Sequence, residues 1–216
     1  MHRALRTILP AHGRPGSRAR GTARGVTLLE LMAVVTIIGI FLALAAPGIS
    51  RTFDERKAGR VADDVASMFR LARTRAAATG GAHLVRVTAA GGIAKLELMQ
   101  AIDPTTKAAV SSCFTPSWSP TGTDTRLLMT IDPATDNDLK AKKIVIVATS
   151  TNVGLFCFTP GGGTWWNTAG GGVWSRPVAA NSLEYEVHRS DSSDTIVGLV
   201  RKVELGTTGV PRIDVL

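Results

Sequence analysis

Cysteine, histidine and, over the first 25 positions, acidic side chains are what this 216-residue chain has little or none of. The two cysteines, Cys113 and Cys157, form no Cys-x-x-Cys and no Cys/His spacing of the kind that holds zinc, so no metal site is expected. Only His83 and His188 lie beyond residue 25, each among alternating apolar residues. A partly buried or surface histidine is the expectation for both, rather than a catalytic base. No Gly-x-Ser-x-Gly elbow, His-Glu-x-x-His pair or Walker motif occurs, and Gly161-Gly162-Gly163 lacks the Lys-Ser/Thr that a phosphate loop requires. The common hydrolase, metalloprotease and nucleotide-binding chemistries are thereby excluded. No catalytic residue and no cofactor are expected.

Acid is missing where base is concentrated. Arg3, Arg6, Arg14, Arg18, Arg20 and Arg24 supply six of the eight excess positive charges, so the pI of about 10.2 belongs to the first 25 residues and not to the body. A near-neutral body makes a phosphate-backbone partner a poor expectation. With 44% hydrophobic residues, the remainder is long enough for one globular domain.

Charge is also scarce from Val26 to Ala46, which reads VTLLELMAVVTIIGIFLALAA, 21 apolar or small residues interrupted by Glu30. A helix of that length spans about 30 Å, the hydrocarbon thickness of a bilayer. The arginines before it and the mixed Asp54-Glu55-Arg56-Lys57 after it orient the span with residues 1–25 in the cytoplasm and the body across the membrane. A carboxylate within such a helix costs about 2.5–3.5 kcal/mol on the mildest scales and is ordinarily partnered. No basic residue lies within one helical turn of Glu30 in the sequence. Scission between Gly25 and Val26 would create an α-amine, and the amine of another molecule would then be the natural partner.

The run Arg24-Gly25-Val26-Thr27-Leu28-Leu29-Glu30-Leu31-Met32, continuing through Ile37-Ile38-Gly39-Ile40 to Ala46-Pro47, resembles the signal of type IV prepilins and type II secretion pseudopilins. Gly25, Val26 and Glu30 fall on that family's glycine before the cut, apolar first mature residue and fifth-position glutamate. The resemblance implies cleavage by a prepilin peptidase, N-methylation of Val26, and pairing of Glu30 with a neighbouring subunit's amine during filament assembly. Val26 departs from the phenylalanine or methionine commonest there. A cleaved secretory signal is the rival reading, with Ala43-Leu44-Ala45 as its processing site, but it needs a long basic segment and a charge at the front of its apolar core.

Beyond Pro47 and Gly48, which are positioned to kink the helix, Val61, Val65, Met68, Phe69, Ala72 and Ala76 recur every three or four residues, with Arg60, Asp63, Asp64, Arg70, Arg73 and Arg75 between them. This predicts an amphipathic continuation over 47–80 that packs on its own domain and ends at Gly80-Gly81. From residue 81 to 216 the period changes to two. Strands are expected at 83–88, 93–99, 127–131, 143–149, 153–159, 182–189, 195–205 and 210–215, with long loops at 101–126 and 160–181. The fold class is therefore α+β, a long N-terminal helix whose second half packs on an antiparallel sheet. Pilin-like proteins share that layout. Within them, Phe158-Thr159-Pro160-Gly161-Gly162 and the closing Arg201–Leu205 and Gly209–Ile213 segments are similar to the GspH/FimT minor pseudopilin and minor pilin group.

Several smaller features remain. In an oxidising compartment Cys113 and Cys157 either close a disulfide, contributing roughly 3–4 kcal/mol on the loop-entropy model, or stay apart, and spacing does not decide which. Asp132, Asp136 and Asp138 lack the EF-hand spacing and closing glutamate, so a solvated acidic turn is expected rather than calcium. Trp165, Trp166 and Trp174 fall in the Gly-rich segment, where they either lid the sheet or anchor a contact with a neighbouring subunit or secreted substrate. Some pilus members of the resembled group bind DNA through Gly-Arg-x-Arg, but here Gly209-Val210-Pro211-Arg212 retains only the last arginine. The expected partners are thus a prepilin peptidase, other pilin or pseudopilin subunits, the bacterial inner membrane and a secreted substrate, not nucleic acid.

Overall fold

A computed structural model describes residues 25–148, 153–168, 173–177 and 183–216. The basic leader and the strand start expected at Ser182 lie outside these residues. The chain divides into two compact units, Met1–Ala46 and Pro47–Leu216, and helix α1 (Leu28–Thr79) contributes to both. Residues 47 and 48 lie within α1.

In the first unit α1 contains Leu28–Ala45, an 18-residue stretch of mean hydropathy 2.6 with none of its residues buried. It is long and apolar enough to cross a membrane.

In the second unit α1 presents a stripe of Ala58, Val61, Ala62, Val65, Ala66, Met68, Phe69, Ala72 and Ala76, all buried. The arginines and aspartates between them are exposed, as a period of 3.6 requires. Gly80 stops the helix in a left-handed conformation (φ 68°) that a Cβ would strain.

The strands are β1 (His83–Ala90), β2 (Ile93–Ala101), β3 (Thr125–Ile131), β4 (Ile144–Ala148), β5 (Gly154–Phe158), β6 (Thr164–Thr168), β7 (Leu183–Ser190), β8 (Ile196–Leu205) and β9 (Pro211–Val215). They form one antiparallel sheet in the order β6-β5-β1-β2-β4-β7-β8-β9, with β3 also paired to β2. The helix stripe is covered by Val85, Leu96, Ile146, Phe156, Phe158, Tyr185, Val187 and Val203 from the inner face. Phe69 is the hub. Its ring meets Phe156 edge-on at 5.8 Å and stacks on Tyr185 at 6.0 Å.

Two elements depart from expectation. Residues 160–181 are not all loop, because Thr164-Trp165-Trp166-Asn167-Thr168 pairs with β5 as β6. The acidic turn holds helix α2 (Asn137–Ala141), whose N-cap Asp136 accepts from the Asp138 and Leu139 amides at 2.9 and 3.1 Å.

An ion-pair cluster fastens the start of this unit's helix to the sheet. Asp54 meets Arg189 at 3.2 Å and Lys142 at 3.5 Å, while Glu55 meets Arg189 and Arg201 at 3.6 and 3.7 Å. Glu55 also accepts from the Leu199 amide at 3.3 Å. A Cβ at Gly198 would displace this carboxylate, and the left-handed backbone there (φ 85°) favours glycine.

Phe69→Ala should lower unfolding free energy by about 3–5 kcal/mol, since a cavity would open beside the Phe156 and Tyr185 rings. Denaturant titration followed by tryptophan emission measures this, and a loss under about 1 kcal/mol would contradict the assigned hub.

Candidate functional site: the helix start and the disulfide-tethered face

Two places concentrate the features expected to matter. The first is the start of α1. Thr27 caps it: its hydroxyl accepts from the Glu30 amide at 3.2 Å and its carbonyl accepts from the Leu31 amide at 3.1 Å. Glu30 therefore occupies the first turn, where its carboxylate complements the exposed amides and the positive end of the helix dipole. Thr27-x-x-Glu30 is half of a capping box, a signal the sequence carries and the motif reading above leaves unused. The Glu30 side chain is exposed and forms no ion pair among the described residues. Val26 is 70% exposed. A Cβ built on Gly25 meets nothing within 4 Å among the described residues, so local packing there makes no demand for glycine at that position.

The second place is the outer face of the sheet. Cys113 and Cys157 are joined, with Cα atoms 6.1 Å apart, which ties the 103–124 loop to β5. Trp118, buried in that loop, donates from its indole N–H to the Cys113 carbonyl at 2.8 Å. Leu84, Met99 and Ala101 complete a small second core beneath it.

The tryptophans expected on one loop separate. Trp165 and Trp166 are successive strand residues and so point to opposite faces. Trp166 is 8% exposed and packs against Phe156 in the main core, which removes it from any contact surface. Trp165 and Trp174 stay half-buried outside, edge-on to the exposed Phe114 at 5.0 and 5.9 Å, with the Arg176 guanidinium 5.3 Å above Trp165.

Other candidates fill structural positions. His83 and His188 are both buried, deeper than the expected partial exposure, and desolvation pushes the pKa of each below the ordinary histidine value. Asp138 pairs with Lys57 at 2.7 Å and Asp132 lies 3.9 Å from Lys95. Among the described residues no three His, Cys, Asp or Glu side chains are grouped to hold a metal ion. Arg212 is exposed on β9, in register with Glu204.

Residues 20–46 match the family model described as the prokaryotic N-terminal methylation motif. Among solved structures the chain is similar to the type IV minor pilin FimU of Pseudomonas aeruginosa (strain PAO1), at 14% identity and a TM-score of 0.41 over 76% of this chain and 92% of that one. No curated protein matches. The chain thus carries an N-terminal methylation motif at the start of an apolar helix, followed by an antiparallel sheet domain.

Replacing both cysteines by alanine should cost the second unit roughly 3–4 kcal/mol, the closure entropy of the crosslinked loop. Thermal unfolding with and without reductant measures it: the wild type should fall toward the variant when reduced, and the variant should not respond.

Proposed function

We propose that this protein is a minor subunit of a type IV pilus or type II secretion filament, of the GspH/FimT group, processed after Gly25 and methylated on Val26. The observation that carries this reading is the conjunction of Gly25, Val26 and Glu30 at the start of an exposed apolar helix with a separately folded sheet domain. The glycine supports it in particular. Since nothing in the fold crowds Gly25, the requirement for it is assigned to a prepilin peptidase acting from outside.

Before assembly the helix lies in the inner membrane, with the N-terminus cytoplasmic and the sheet domain periplasmic. During assembly Glu30 receives the α-amine of the adjacent subunit's Val26. Thr27 takes the Glu30 backbone amide at 3.2 Å, and the Glu30 side chain stays exposed in the first turn. In the filament, apolar side chains that meet nothing in the single chain pack against equivalent helices. The subunit's role is structural, with no catalytic step. The aromatic ledge of Phe114, Trp165 and Trp174 is proposed as the surface that meets a neighbouring subunit or a secreted substrate.

Mass spectrometry of the mature N-terminus should find methylated Val26, and a terminus following Ala45 would replace this reading with a secreted domain. Glu30→Leu should reduce incorporation into sheared filaments about tenfold or more while leaving the membrane-held pool unchanged, because one unmatched charge pair exceeds the 1.4 kcal/mol that a decade represents. Undiminished incorporation would remove the proposed role of Glu30.

A further inference from the structure

Behind the aromatic ledge, and sharing Trp174 with it, the outer face of the sheet holds a cavity of about 460 Å³. That lies within the roughly 300–1,000 Å³ typical of small-molecule sites. Its floor is a row in register across three strands: Asn167 on β6, Leu155 on β5 and Arg86 on β1. Its walls include Ser117 and Trp118 from the disulfide-tethered loop, together with Trp174. The bond between Cys113 and Cys157 is therefore what holds part of the wall over the floor.

The polar groups specify an occupant. Asn167 is 7% exposed, and its Oδ1 has no donor among the described residues. A buried amide oxygen left unpaired costs about 1–3 kcal/mol. Asn167 lines the cavity, and its terminal carboxamide torsion is soft, so rotation can exchange its oxygen and nitrogen positions. Arg86 meets Glu97 only through Nε, at 4.0 Å, and its terminal nitrogens form no ion pair among the described residues. Ser117 gives its hydroxyl proton to Asp124 at 2.7 Å, which leaves its oxygen as an acceptor. Trp118 is held by its bond to the Cys113 carbonyl, so its indole is a fixed apolar surface.

A fitting ligand must therefore donate to Asn167 and Ser117, accept from Arg86 and lay apolar atoms against indole rings. An inorganic anion such as sulfate carries no donors for the two oxygens, and the Glu97 carboxylate, 4.0 Å from Arg86 and 2.9 Å from Lys95, disfavours a second negative charge beside it. A hydrocarbon would leave Arg86 and Asn167 unpaired. An added peptide strand would need open backbone groups on the floor, yet β5 is hydrogen-bonded on both sides by β1 and β6. A pyranose satisfies all three demands, with hydroxyls around its rim that both donate and accept and C–H bonds on its faces. We propose that this cavity binds a neutral hexopyranose unit, free or at the end of a glycan.

The test uses the full-length chain in a detergent without a sugar headgroup, titrated with D-glucose and with N-acetyl-D-glucosamine. Binding is read by saturation-transfer NMR and by tryptophan emission, with triglycine amide as the comparison ligand. At least one sugar should bind saturably in the millimolar range, and Arg86→Ala and Asn167→Leu should each weaken it about fivefold, one net hydrogen bond's worth. Unchanged melting temperatures in the two variants exclude misfolding as the cause, and Thr88→Val, on the cavity rim, serves as a milder variant should either fail to fold. Absence of saturable binding by both sugars, equal affinity for triglycine amide, or wild-type affinity in the variants would overturn the proposal. Because no part of the measurement involves Glu30 or filaments, its failure leaves the assembly reading intact.

Discussion

Burial of the Ala58–Ala76 stripe against the inner face of the sheet is the contact from which the second unit is built. Five of its nine positions are alanine, so the helix axis sits close to the strands and the volume between them is filled from the sheet side by Phe156, Phe158 and Tyr185. Phe69 is the large exception on the helix, and it occupies the space those rings leave. Such an arrangement tolerates little error in depth. The Asp54 and Glu55 cluster with Arg189, Arg201 and Lys142 fixes the helix lengthwise, and the left-handed glycine at 198 admits the Glu55 carboxylate to the backbone of β8. Partly buried pairs of this kind contribute less to net stability than to choosing one packing over its near alternatives.

The two units answer to different solvents. Between Val26 and Leu44 large apolar side chains stand about half to four-fifths exposed in the single chain, which in water would be an association surface far beyond what an isolated protein tolerates. Pro47–Leu216 instead closes its own core and has an outward face built around a disulfide. The proposed anchoring and assembly chemistry therefore concentrates in the first turns of α1, and the proposed recognition chemistry on the outer face of the sheet.

Legibility in the sequence followed periodicity. The amphipathic half of α1 was readable because Val61, Val65, Met68, Phe69, Ala72 and Ala76 keep a strict three-four spacing, and eight strands were readable within about two residues at each end because apolar residues alternate between glycine- and proline-rich turns. β6 was missed although Thr-Trp-Trp-Asn-Thr has strong strand composition, because glycines at 161–163 and 170–172 made the surroundings read as loop. α2 was missed because five residues are too few to display a period, and its one signal was the capping aspartate. At the sites, Gly25 and Glu30 were legible as a motif. The cavity was not, since Arg86, Asn167 and Ser117 come together only through strand register and a crosslink that spacing could not assign.

That crosslink also imposes an order of events on the life of the molecule. Thiols on the cytoplasmic side of a cell are kept reduced, so under the proposed periplasmic placement Cys113 and Cys157 join once the domain has left that side. The main core, which contains neither sulfur, can condense beforehand, whereas the second core and the wall bearing Trp118 are secured afterwards. The sheet domain of a newly made subunit and that of a mature one would then differ in a single covalent bond, and the wall bearing Trp118 would be secured only on arrival.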